Sequence, residues 1–122
     1  MITHVVMMKF KPGVSDEQVA DLEKNFDALP DQITEIQSYE FGRDVVHSER
    51  SYDFALVSVF ANLETLRQYQ EQPEHLKVVR KLGELCEKIW AVDFQASRLP
   101  EIDRSLDPRS DPWNDPKLFR PA

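Results

Sequence analysis

Residues Thr3 to Lys11 are rich in strand-forming residues, and a period of two places His4, Val6, Met8 and Phe10 on one, largely apolar face and Val5, Met7, Lys9 and Lys11 on the other. Pro12 and Gly13 end that strand. Ser15 and Gln18 then form a capping box, flanked by Val14 and Val19 at staple positions, so a helix begins here. Its apolar stripe is Val19, Leu22, Phe26 and Leu29, at spacings of three and four, and Pro30 is expected to end it. A second strand is predicted from Ile33 to Gly42, a polar loop opened by Gly42 and Arg43 follows, and a third strand spans Tyr52 to Ala61.

Asn62 is an N-cap for a helix carrying Leu63, Leu66 and Tyr69. Pro73 should kink or split this helix, after which Leu76, Val79, Leu82 and Cys86 continue the stripe. A last strand is predicted over Ile89 to Ala96. Two strand-helix-strand halves define an α+β, ferredoxin-like βαββαβ fold: a four-stranded antiparallel sheet with its helices on one face. The other face would then carry Val5, Met7, Ala55, Val57 and Val59. Exposed apolar surface of that extent marks an interface, so a homodimer through the sheet faces is expected.

Length and charge narrow the possibilities. A chain of 122 residues holds one core and no second domain. The net charge of −7 resides wholly in residues 1–96, with 17 acids against 10 bases, while residues 97–122 carry five of each. Nucleic acid and anionic membranes both require clustered cations, and neither is expected as a partner. The lone cysteine, Cys86, builds neither a disulfide framework nor a zinc site, which suits a reducing cytoplasm. The N-terminus has no leader pattern, and no stretch approaches the ~18 apolar residues of a membrane span.

Residues 97–122 read as a Pro-rich, extended C-terminal tail outside the 1–96 domain. They hold five of the eight prolines, three in Asp-Pro pairs. Trp113, Leu118 and Phe119 are unusual for plain disorder and suggest an arm that docks on its own subunit or on a neighbour.

The residues resemble the stress-responsive A/B barrel (Dabb) family. The resemblance rests on His4 ahead of an apolar strand ending in Lys9-Phe10-Lys11, on Gly42-Arg43, on Tyr69 with Pro73-Glu74-His75, and on Val92-Asp93-Phe94. It implies a dimeric α+β barrel with a cavity between each sheet and its helices. One catalytic subset of the family, which includes olivetolic acid cyclase, closes polyketide chains by aldol condensation without metal or organic cofactor. Some plant hydroxynitrile lyases look like the same fold. By position, His75 matches that subset's general acid/base, Tyr69 the tyrosine that holds the substrate carbonyl, and His4 a first-strand histidine. A further cavity histidine of the cyclase falls on Phe54, so whatever hydrogen bond it made is lost here.

Each candidate also has a purely structural role to weigh. Imidazole exchanges protons near neutral pH, so His75 suits an aldol-type or lyase step, with Tyr69 donating to a developing oxyanion. Alternatively His75 buttresses the helix junction by holding a backbone carbonyl. His4 shares a face with Val6 and Met8 and is either a cavity group or a satisfied core residue. Met8, Leu22, Phe26 and Phe54 are ligand contacts in the first reading and plain core in the second. Two histidines without a spaced carboxylate predict no metal site, and no cofactor is expected. Cys86, on an inward stripe, fills space. The leading function is a cofactor-free cyclase or lyase acting on a small carbonyl-bearing molecule. The alternatives are a non-catalytic stress-response or assembly protein and a cofactor-free ferredoxin-like monooxygenase.

Overall fold

The computed structural model describes residues 1–96, and the expectations for the tail lie outside the described residues. The order of elements is β1 (Ile2–Phe10), α1 (Asp16–Gln32), β2 (Ser38–Arg43), β3 (Phe54–Phe60), α2 (Leu63–Glu71), α3 (Pro73–Leu85) and β4 (Cys86–Gln95). All strand pairs are antiparallel, in the order β2-β3-β1-β4. This is the expected ferredoxin-like arrangement, with the second helix divided in two.

Local signals explain most boundaries. Gly13, at φ 87°, makes the turn out of β1 that a side chain would resist. The Ser15–Gln18 box opens α1, and an equivalent box between Asn62 and Thr65 opens α2. Gln72 ends α2, and Pro73 occupies the first turn of α3, where its missing N–H costs nothing.

Several boundaries differ from the sequence expectations. Helix α1 runs through Pro30 to Gln32, because a proline this close to the end removes only one donor, while Leu29 and Ile33 anchor the last turn in the core. Residues 33–37 form the turn into β2, which starts at Ser38 rather than Ile33. The new axis of α3 resets its phase, so Val78, Leu82 and Leu85 are buried while Leu76 and Val79 are exposed. Leu63 of α2 is exposed as well. Cys86 opens β4 instead of closing a helix; it is buried, and burial pushes its thiol up to about 11, which leaves it protonated and inert.

The sheet has two unlike faces. Towards the helices, Val6, Met8, Phe54, Leu56 and Phe60 pack against Leu22, Phe26, Leu29 and Leu66 in a single core. Each such side chain contributes roughly 1.5–3 kcal/mol on leaving water. On the opposite face the register aligns Val5 with Val57 and Val92, and Met7 with Ala55 and Trp90. Met7, Val57, Trp90, Val92 and Phe94 are 37–56% exposed there. No helix of the described residues is long and apolar enough to cross a membrane.

Candidate functional site

Tyr69 is the centre of the polar cluster. The Asn62 cap sets the phase of α2 so that Leu66 and Tyr69 face inward, and Tyr69 is fully buried. Its ring packs on Phe60 at 4.8 Å between centroids and on His75 at 4.3 Å, and its hydroxyl lies 3.0 Å from that of Tyr39. Burial pushes the phenol up to about 12. Tyr69 is therefore a hydrogen-bond donor throughout the neutral range.

His75 enters from the first turn of α3. The break at Gln72 and Pro73 turns the chain so that His75 Nδ1 reaches the Gln70 carbonyl at 3.2 Å, across the junction with α2. A carbonyl only accepts, so Nδ1 carries the proton and Nε2 carries the lone pair. Burial lowers the affinity of this half-buried imidazole for a second proton, and His4 lowers it further. His75 is thus held neutral with one nitrogen free to take a proton.

His4 enters from β1, buried under α2 with its ring centroid 6.4 Å from that of Tyr69. The β1–β4 register sets it opposite Asp93, and Nδ1 donates to the Asp93 carboxylate. Nε2 is the ring nitrogen that this pair leaves unused. Asp93 is on the edge strand, and its side chain is 38% exposed, so this pair links the buried cluster to solvent.

The structure brings Tyr69, His75 and His4 together, and it adds two residues that the sequence reading missed. The register of β4 supplies Asp93, so the carboxylate expected to be lacking is present beside His4. No group of three or more potential metal ligands occurs among the described residues. Tyr39 comes from β2, where Tyr39 and Phe41 alternate with the exposed Ser38 and Glu40. That alternation was the available signal for Tyr39. For Asp93 the only signal was its place in the Val92-Asp93-Phe94 segment.

Met8, Leu22, Phe26 and Phe54 are at most 2% exposed and lie within the packed core. Phe26 stacks on Phe54 with centroids 5.7 Å apart and packs against Phe41 at the same distance. These side chains close one another off, leaving Tyr39, His75 and Asp93 as the accessible rim of the cluster. A groove of about 270 Å³ elsewhere, between α1 and α3, is lined by Asp21, Lys24, Asn25, Glu74 and Lys77 and includes none of the cluster residues.

Comparison with known proteins agrees with this architecture. The chain is 29% identical over 103 residues to a stress-response A/B barrel domain-containing protein of Arabidopsis thaliana, a match covering 82% of this chain but only 38% of that longer relative. A dimeric ferredoxin-like protein from Thermobifida fusca superimposes with a TM-score of 0.73 at 27% identity, over 78% of this chain and 90% of that one. The hydroxynitrile lyase of Passiflora edulis shares the fold at 18% identity and a TM-score of 0.71, over 81% and 96% of the two chains. The family model for the stress responsive A/B barrel domain (Dabb) matches residues 2–96, and this chain belongs to that family.

Proposed function

We propose that the chain forms a homodimer through its bare sheet face and binds a small carbonyl-bearing organic molecule at the Tyr69 cluster, where it moves protons without a cofactor. The observation that carries this reading is Tyr69, a buried donor flanked by two imidazoles whose Nδ1 protons are both committed, to Gln70 and to Asp93. His75 Nε2 would take a proton from the carbon next to the ligand carbonyl. Tyr69 would donate a hydrogen bond to the oxyanion that develops, His75 would give the proton back from Nε2 to the alkoxide that forms when the carbon–carbon bond is made, and His4, held by Asp93, would line the site. Met8, Leu22, Phe26 and Phe54 would back the site from the core. Aldol cyclisation runs through such a step; in a lyase cleavage of the kind named for the Passiflora protein of the same fold, His75 Nε2 would instead take the hydroxyl proton of a cyanohydrin as the carbonyl forms and cyanide leaves with that proton. The single cysteine suits a reducing cytoplasm.

Proton exchange in D₂O tests the reading, followed by NMR on acetophenone and on benzoylacetone. The protein should accelerate exchange, and His75→Gln should slow it about 10²-fold or more. Exchange no faster than in buffer, or equal in the variant, would exclude catalysis by His75.

One observation favours a second, non-catalytic reading. The bond from His75 to the Gln70 carbonyl spans the α2–α3 break, as a residue that pins a helix junction would. On that reading His75→Ala lowers the melting temperature and leaves probe binding unchanged.

A further inference from the structure

We infer that Tyr39 is a positioning residue whose hydroxyl donates to Tyr69 and so turns the proton of Tyr69 towards the ligand; the inference rests on the function proposed above. The two hydroxyl oxygens are 3.0 Å apart, so one proton lies between them. If Tyr69 supplies that proton, its only hydrogen is spent on Tyr39 and none is left for a carbonyl oxygen. If Tyr39 supplies it, the Tyr69 oxygen is satisfied as an acceptor and its hydrogen is free.

The surroundings favour the second arrangement when an oxyanion is present. Tyr69 is wholly buried, whereas Tyr39 is half-buried on the outer strand β2. Negative charge on a ligand oxygen aligns the two hydroxyls in one direction, Tyr39 to Tyr69 to ligand, and each bond polarises the next. The bond from Tyr39 also eases ionisation of Tyr69 against the effect of burial, which makes Tyr69 the stronger donor. Aromatic packing holds the Tyr39 ring in place: Phe26 and Phe41 both lie 6.3 Å away between centroids. That contact survives loss of the hydroxyl, so Tyr39→Phe removes the donor and keeps the shape.

The chemical class this pair selects is a planar oxyanion, an enolate or phenolate, over an alcohol. 4-Nitrophenol above its ionisation point is a direct probe, followed by its absorbance on titration with the dimeric protein. Tyr69→Phe should weaken binding about 10-fold or more, as expected for a hydrogen bond to a charged acceptor, and Tyr39→Phe about 3- to 10-fold, as expected for one to a neutral hydroxyl. The double variant should match Tyr69→Phe alone, since Tyr39 acts only through Tyr69. 3-Fluorotyrosine at position 39, a stronger donor of almost the same shape, should tighten binding. This last measurement keeps the test decisive if Tyr39→Phe proves unstable.

Loss of affinity in Tyr69→Phe with none in Tyr39→Phe, or weaker binding with fluorotyrosine, overturns the inference alone. No binding by the wild type, or unchanged binding in Tyr69→Phe, overturns the proposed site and the inference with it.

Discussion

The same strands present two faces with opposite fates. On β1, Val6 and Met8 are sealed under the helices, while Val5 and Met7, one residue away, point to a surface shared with Val57, Trp90, Val92 and Phe94. Both faces are apolar, and their difference lies in what covers them. The helix side is completed by the chain's own α1, α2 and α3. The bare side has nothing within the described chain to complete it, and unpartnered apolar surface of this kind is removed from water by association. A period of two residues therefore divides intramolecular stability from assembly.

Substitutions on each side should separate these two roles. The largest effect is expected from Phe26→Ala, which opens a hole among Phe41, Phe54 and Tyr39. It should cost about 3–5 kcal/mol, read from denaturant titration, and the loss should not depend on protein concentration. If the dimer alone held the fold together, dilution would change this value.

A charge on the other face should act in the opposite way. Val92→Asp, in register with Val5, should weaken association by about 2–5 kcal/mol, which is tens- to thousands-fold in dissociation constant. Light scattering near 10 μM should then report monomers, about the concentration range where such a loss becomes visible. A wild type that is itself monomeric at micromolar concentration would remove the proposed interface.

The smallest effect sharpens the comparison through pH. Burial lowers the proton affinity of His75 below its ordinary value of 6.5. The unfolded chain then binds the extra proton first, so stability is complete above about 6.5 and falls as pH drops through that value. The groups facing His75 are His4 and Tyr69, both on the helix side. His75→Gln should flatten the difference between denaturation midpoints at pH 5.5 and 7.5. An unchanged pH dependence in the variant would assign it to other groups.

Much of the fold is legible because its signals are local. The Ser15–Gln18 box and the Asn62 cap stand at the starts of α1 and α2, and Pro73 divides the second helical region where its ring forbids continuity. Boundaries fail where packing outweighs such a signal. Pro30 does not end α1 because Leu29 and Ile33 hold the last turn in the core, and the stripe after Pro73 shifts to Val78, Leu82 and Leu85 because α3 has its own axis.

The candidate site divides in the same manner. His4, Tyr69 and His75 could be named from the resemblance to the family, and the strand and helix patterns placed them on β1 and on the two helical segments. Their partners could not: Asp93 reaches His4 across 89 positions through strand register, and Tyr39 on β2 meets Tyr69 on α2 across 30. Sequence by itself determined which elements form and which side of each is apolar, since backbone sterics, caps and periodicity act over a few residues. Tertiary structure alone decided which hydroxyl faces which, which nitrogen of each histidine carries the proton, and which apolar face is left without a cover. Those depend on distances between residues far apart in the chain.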